Sequence, residues 1–572
     1  MLLARSCLML FALLLGIPGL ARAQASRSLS PDNRPPSQQP LPELSPPAPL
    51  PPPEQLLPAP ATPDSGGSTE TLPTTLVVNR YRIVGSTVFS AAELEQATRA
   101  YTTASLGREV SFTEVLQARS AVTRLYEQAG YVTSGAIIPP QKVVDGVVVI
   151  QVLEGRLAEI NVSGTRRLHP AYVRARLALA AQPPLNQNRL LEALQLLQNN
   201  PLIQTIAADL QAGIRPGTNI LEVKVTEADS FRGQIVLDNG RSPSVGSFRR
   251  QAILNEANLL GLGDALSISY TNTAGSNGID ASYTLPLNAR NGTLSLAFGN
   301  SRSRVIEKPF DVLDITAKSR YYEITLRQPI VVTPREELAL GITLSHQTNQ
   351  TFLGITDIGP FPLSAGADDL GRTRTSAFRV FQEWSKRSSQ QVLAFRSQFS
   401  VGMNLLGATI NDSGPDSRFF NWRGQGQWLR LLAPDTLLLL RTDIQFSDRP
   451  LLGLEQFGLG GQSSVRGYRQ DYLLTDNGLL ASLEARIPLL RVPRLRGLLQ
   501  VTPFVDFGNG WNNAGSNPDP QTIASTGLGL LWRQGDNLSA RLDWGIPFVS
   551  IGSRGKTWQE QGVYFSIVYT PF

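Results

Sequence analysis

A chain of 572 residues has room for several domains, and its single cysteine, Cys7, excludes a disulfide framework and a cysteine-based metal site. Charged residues are 17% of the total, which is low for a wholly soluble protein of this length. The net charge of +6 is spread along the chain and not gathered on one element, which argues against a nucleic-acid partner.

The first 23 residues have the three parts of a secretory signal: basic Arg5, an apolar run from Leu8 to Leu20, and Ala21-Arg22-Ala23, so the mature chain is expected to start at Gln24. Cys7 falls inside this signal and precedes no lipobox-like site, so a lipid anchor is not expected. No second apolar run reaches the roughly 18 residues of a membrane helix, which leaves an exported soluble protein or a β-barrel. Residues 24–75 hold fifteen prolines between Pro31 and Pro73, a composition that favours extended polyproline segments and predicts a disordered linker.

Two small α+β units follow, over 76–155 and 156–228. In the first, Leu76–Val84 reads as a strand, and the capping boxes Ser90-Ala91-Ala92-Glu93 and Ser111-Phe112-Thr113-Glu114 start two helices. The second helix carries Val115, Ala118, Val122, Leu125 and Tyr126 at helical spacing. Strands Tyr131–Ile138 and Gly146–Leu153 complete a β-α-α-β-β order. That order returns as strand Leu157–Val162, helices from Pro170 and Gln187, and strands Ile203–Leu210 and Asn219–Val225. A three-stranded sheet covered on one face leaves an open edge to which an extended peptide can add, and the candidate edges are Tyr131–Ile138, with Ala136 at its centre, and the strand that starts at Ile203. A pair of inert spacers is the competing reading.

From residue 229 to the end helical periodicity disappears. Segments of about ten residues alternate apolar and polar positions, as in Thr293–Phe298 and Leu480–Ile487, the pattern of a strand between lipid and a wet lumen. Candidates near 231, 248, 265, 278, 292, 319, 337, 375, 391, 418, 435, 478, 498, 524, 537 and 562 predict a transmembrane β-barrel of about sixteen antiparallel strands, closed because an open edge in hydrocarbon leaves backbone groups unpaired. All seven tryptophans lie in this half, and the chain ends on an aromatic-rich strand in which Tyr569 and Phe572 are expected to close the barrel.

The two histidines, His169 and His346, sit in different domains without metal-ligand spacing, and Gly555-Lys556-Thr557 lacks the upstream glycine of a phosphate loop because that position is Ser550. No metal, cofactor, catalytic constellation or ATP site is therefore expected. One loop stands out, from about Ser447 to Thr475, with Gly458-Leu459-Gly460-Gly461-Gln462-Ser463-Ser464-Val465-Arg466-Gly467-Tyr468 inside it; long Gly-rich loops in a compact barrel are functional or disordered.

At these residues the sequence resembles the transporter component of two-partner secretion, the haemolysin-activator and filamentous-haemagglutinin secretion family within the superfamily of outer-membrane insertases. Val465-Arg466-Gly467-Tyr468 matches that family's loop-six motif, and Phe504-Val505-Asp506-Phe507-Gly508 matches its thirteenth-strand motif. Asp238-Asn239, Tyr131-Val132-Thr133 and Pro140-Gln141 are similar to it as well, and the two repeats resemble its paired POTRA domains. The resemblance covers about residues 76–572. It implies that the loop folds into the lumen with Arg466 paired to Asp506, Phe504 and Gly508 belonging to the same wall motif. It also implies an outer-membrane protein with periplasmic POTRA-like domains that exports a large secreted partner without ATP. Outer-membrane lipid and the barrel-assembly machinery are the other expected partners. An insertase of other barrels is the alternative, although relatives of that kind are longer at the periplasmic end. In relatives an N-terminal helix can plug the pore, whereas this chain is proline-rich from Pro31 onward.

Overall fold

The computed structural model describes residues 34–46, 51–57, 75–550 and 557–571. The signal, Cys7, Gln24, Gly555-Lys556 and Phe572 lie outside them. The described chain falls into two compact units: residues 51–229 with 260–263, and residues 34–46 with 230–259 and 264–571.

In the first unit both repeats have the same architecture. Arg80–Val84 runs parallel to Val147–Leu153, which pairs on its other side with Gly135–Ile137. In the second repeat Arg156–Ser163 runs parallel to Thr218–Glu227, and Ile203–Ala212 is antiparallel to it at the edge. Helices Ala91–Thr98 and Phe112–Gln128 cover the first sheet, burying Leu94, Val115, Ala118, Val122 and Tyr126 against Tyr81, Val148, Ile150 and Val152. Both expected capping boxes form, with Ser90 and Ser111 exchanging hydrogen bonds with Glu93 and Glu114. Helices Pro170–Ala180 and Gln187–Gln198 do the same for the second sheet, and His169 is the cap of the first of them, its Nδ1 accepting from the Ala171 N–H at 3.2 Å.

The repeats share one turn device. Gly85 and Gly164, after the first strand of each, have φ of 86° and 85°, and a Cβ there would meet the carbonyl oxygens of Val152 and Val225 at 2.7 and 2.2 Å. Glu154 and Glu227, at the end of the last strand of each, bind the same turns. Glu154 accepts from Thr87 N–H at 2.6 Å, and Glu227 accepts from Arg166 N–H at 2.5 Å and Leu168 N–H at 2.9 Å.

The expected edge strand Tyr131–Ile138 is shorter than its sequence suggests. Gly130 turns out of the helix with φ of 87°, the Tyr131 N–H closes that helix on the Tyr126 carbonyl at 2.9 Å, and only Gly135–Ile137 is strand. Tyr131 therefore packs edge-on against Tyr126, with ring centroids 6.0 Å apart, and lies off the sheet edge. Ala136 is on the edge strand, but its N–H donates to Thr123 Oγ1 of the covering helix at 3.0 Å.

The second unit is a closed antiparallel barrel of sixteen strands in simple up-and-down order, as the alternation predicts. Strands 1 to 5 are Phe231–Asp238, Arg249–Glu256, Ala265–Asn272, Ser276–Pro286 and Thr293–Arg304. Strands 6 to 11 are Ile315–Val332, Glu336–Leu353, Arg372–Arg387, Gln391–Met403, Phe420–Ala433 and Thr436–Ser447. Strands 12 to 16 are Asn477–Val492, Gly497–Trp511, Thr522–Gln534, Leu538–Pro547 and Val563–Tyr569. Ser566–Tyr569 pairs with Ile235–Asp238 to close the ring, so Tyr569 is part of the seam. Strand 7 illustrates the two faces: Leu340, Ile342 and Leu344 are exposed on the outside, whereas Thr343, Ser345, Gln347 and Asn349 are buried inside. An apolar outer face over a polar interior is what a barrel in lipid requires. Among the described residues no helix is long and apolar enough to cross a membrane.

The proline-rich stretch departs from the disordered linker expected of it wherever it is described. Residues 34–46 lie in the barrel unit, where Leu44 packs against Val392, Leu429, Leu437 and Leu439. In the other unit the short helix Pro53–Leu56 buries Leu56 and, just after it, Leu57. Proline fixes φ in advance, so little conformational entropy opposes this docking, and side chains of the barrel bond several main-chain groups of residues 34–46 that the segment does not pair internally.

Candidate functional site: the loop inside the barrel

The chain between strands 11 and 12 folds inward. A small hairpin, Phe457–Leu459 with Leu473–Thr475, makes a core from Phe457, Leu459, Val465, Tyr468, Tyr472 and Leu473 against Leu480 and Ile523 of the wall. Glu455 ties the root of the loop to the wall. It is bonded at 2.8 and 3.1 Å by Nη2 of buried Arg379 on strand 8, and Gln347 on strand 7 reaches it at 3.2 Å.

The tip carries Arg466, which is fully buried, and its guanidinium grips Asp506 with a fork: Nε to Oδ2 at 2.8 Å and Nη2 to Oδ1 at 2.8 Å. The Arg466 main-chain N–H adds a third bond to the same carboxylate at 3.0 Å. Nη1 goes to Glu484 on strand 12 at 2.7 Å, and Ser482 Oγ donates to Asp506 at 2.7 Å. Arg541 on strand 15 bridges Glu484 and Asp543, and Arg486 donates to Glu484 at 2.9 Å, so positive and negative groups alternate through the cluster. Charges removed from water are tolerable only when each is paired and bonded, as these are.

The wall motif holds the loop motif position by position. Phe504, Asp506 and Gly508 alternate along strand 13, so all three face inward. The Phe504 ring lies under the Arg466 guanidinium, 3.4 Å from its central carbon. Asp506 takes the fork. Gly508 leaves space for Val465, since a Cβ there would sit 2.9 Å from Val465 Cγ2. The Gly467 N–H donates to the Tyr564 hydroxyl at 3.0 Å, and that hydroxyl donates to the Tyr468 carbonyl at 2.5 Å. The Tyr468 hydroxyl donates to the Ala524 carbonyl at 2.9 Å. Beyond the motif, Arg469 pairs with Glu307 at 2.8 Å.

The structure thus brings together Val465, Arg466, Gly467, Tyr468, Phe504, Asp506 and Gly508. Tyr131, Ala136 and Ile203 belong to the other unit. Sequence reasoning missed Glu484, Arg541, Asp543 and Tyr564. The signal for Glu484 was present, because Ser482, Glu484 and Arg486 share the polar phase of the alternating segment Leu480–Ile487. Among the described residues no cluster of acidic, histidine or cysteine side chains has the makings of a metal site.

Comparisons with known proteins place the chain among outer-membrane transporters by sequence and by fold. The family model described as haemolysin secretion/activation protein ShlB/FhaC/HecB matches residues 217–531, and that of the ShlB-type POTRA domain matches residues 76–155. The outer membrane transporter CdiB of Dickeya dadantii (strain 3937) is 24% identical over 466 residues, 79% of this chain and 79% of that one. The heme/hemopexin transporter protein HuxB of Haemophilus influenzae is 24% identical over 429 residues, 71% of each chain. The solved structure of CdiB from Escherichia coli superposes with a TM-score of 0.65 at 21% identity, covering 90% of this chain and 94% of that one. BamA from Haemophilus ducreyi lacking POTRA domains 1–3 shares the fold at a TM-score of 0.52 and 14% identity, covering 86% of this chain and 99% of that one. With a family model matched over more than half of its length, the chain belongs to the haemolysin secretion/activation family of ShlB, FhaC and HecB type.

Proposed function

We propose that this chain is the outer-membrane transporter of a two-partner secretion pair and that it exports one large, β-rich secreted protein. The periplasmic POTRA-like sheets capture that partner by edge addition, and the barrel conducts it outward without ATP, with the loop held by Arg466 and Asp506 in a transport-competent position. Outer-membrane lipid surrounds the apolar wall, and the barrel-assembly machinery inserts it. The observation that carries the reading is the fully buried Arg466–Asp506 fork, which fixes a loop of nearly thirty residues inside a polar lumen. An insertase role rests on fold likeness alone.

The test is to look for a gene for a very large secreted protein beside the gene for this chain and to co-express the two. Secretion that depends on this chain, and fails with Arg466→Ala while the barrel still reaches the outer membrane, supports the reading. Secretion at an equal level without the chain overturns it.

A further inference from the structure

The N-terminal segment Arg34–Pro46 crosses the barrel interior in extended form. Pro35 and Gln39 have φ/ψ of −61/156° and −73/153°, and between them lies a single 3-10 turn, Pro36–Gln38. Such a chain has almost no internal hydrogen bonds, so its main-chain groups need partners from outside.

One strand supplies most of them with side chains. Arg423, Gln425 and Gln427 alternate along strand 10 and so share its luminal face. Arg423 Nη1 donates to the Gln38 carbonyl at 2.8 Å, Gln425 Nε2 to the Gln39 carbonyl at 3.5 Å, and Gln427 Nε2 to the Leu41 carbonyl at 2.9 Å. Gln427 Oε1 also accepts from the Leu44 N–H at 3.3 Å. Asp443, across from Gln425 on strand 11, orients the row. It takes two N–H groups of Arg423 at 2.9 and 2.6 Å and the Gln425 amide at 3.1 Å. Every one of these bonds from strand 10 goes to the main chain of the segment. Three of its polar side chains are held elsewhere: Ser37 by Glu323 on strand 6, Glu43 by Arg486 on strand 12, and Arg34 by Asp471.

We infer that Arg423, Gln425 and Gln427 form a binding site for extended polypeptide main chain, filled at rest by residues 38–44 and taken over by the exported chain when that segment leaves. Main-chain groups are the same in every polypeptide, so a row of amides and a guanidinium at the two-residue spacing of a strand can hold an unfolded chain of any sequence in register. Ser37 and Glu43 supply what the exported chain lacks, namely contacts that make the resident segment the preferred occupant in its absence. The inference rests on the export reading only for the identity of the second occupant.

The experiment uses the full chain in planar bilayers. A Ser37→Ala/Glu43→Gln variant, which leaves strand 10 untouched, is expected to raise conductance by releasing the resident segment. Two synthetic peptides are then added from the periplasmic side: one with the sequence of residues 34–46, the other a scramble that keeps the prolines in place. Both are expected to block the pore at concentrations within a few-fold of each other, and Gln425→Leu/Gln427→Leu in the same background is expected to weaken block by on the order of tenfold. Block by the native peptide alone means a dedicated plug and overturns the inference, as does block indifferent to the two glutamine substitutions. Should the glutamine variant fail to assemble, a photo-crosslinking scrambled peptide decides: adducts on Phe420–Ala433 support the site, and adducts only elsewhere overturn it. Peptide block needs no exported partner. Failed secretion with intact block therefore counts against the export reading alone, and intact secretion with no block counts against this inference alone.

Discussion

Gly467 of the internal loop and Gly545 of strand 15 meet back to back, so closely that a Cβ on Gly545 would lie 2.6 Å from the Gly467 nitrogen and 2.8 Å from the Arg466 carbonyl carbon. Both obstacles are backbone, which cannot swing aside as a side chain can. Gly545→Ala is therefore expected to push the loop off the wall without touching any charged group. It should reduce secretion as severely as loss of Arg466, leave the amount of barrel in the outer membrane unchanged, and alter single-channel conductance. Wild-type secretion by Gly545→Ala would show that the seated loop is not needed.

Arg466 and Asp506 are expected to be needed separately. Removing one partner of a desolvated pair costs roughly 3 to 5 kcal/mol, because the other charge stays buried without its counterpart, whereas an exposed pair is worth at most about 1 kcal/mol. Arg466→Ala and Asp506→Ala should each abolish secretion with normal insertion. Arg466→Lys should recover only part of it, since an ammonium cannot reproduce the planar fork to Asp506 together with the bond to Glu484. Secretion assays with surface labelling of the barrel check this.

Edge capture is best tested in the second repeat. The Ile206 N–H donates outward, to Gln198 Oε1 at 3.0 Å, and alternation places the Leu210 N–H on the same outer edge. Leu210→Pro removes that donor from an edge strand that otherwise tolerates proline, and should weaken partner binding by about tenfold in a pull-down titration. Ala136→Pro measures something different. It breaks the tie to Thr123 and should lower the melting temperature of the first repeat.

Acid should destabilise the periplasmic pair, Thr75–Asp229. Burial works against ionisation of Glu154 and Glu227, but hydrogen bonds from Thr87 to the first, and from the Arg166, Arg167 and Leu168 N–H groups to the second, outweigh it and hold both carboxyls below the ordinary carboxylate range. Glu114, clasped by Arg108 and by its Ser111 cap, is held down to about 2. Stabilisation from groups of this kind is complete above the unfolded value of about 4.3 and is lost as pH falls through the native values. The melting temperature of the isolated pair should therefore drop below about pH 4, and Glu154→Gln with Glu227→Gln should lower it at pH 7 and flatten that drop. A melting temperature that stays level from pH 7 to pH 3 would refute this.

Elements whose identity rests on local pattern were legible in the sequence. Ser90 and Ser111 announce helix starts through their partners three residues on, and a period of two marks barrel strands whether or not their neighbours are known. What escaped depends on distant groups. Tyr131 has the composition of a strand residue, yet the turn at Gly130 returns its N–H to the preceding helix. Nothing near Arg541 or Tyr564 in sequence indicates a loop whose Arg466 lies more than seventy residues away. The stretch around Pro36 reads as unable to bury a core of its own, and the groups that order residues 34–46 belong to the barrel wall.

Tyr564 stands on the last strand, whose pairing with the first completes the ring, and the same hydroxyl clasps Gly467 and Tyr468. An unfinished barrel, with its final strand still unplaced, lacks the two bonds that this hydroxyl makes to the loop. Ring closure and the seating of the internal loop thereby share one side chain, so the loop gains its full set of bonds only in a finished wall.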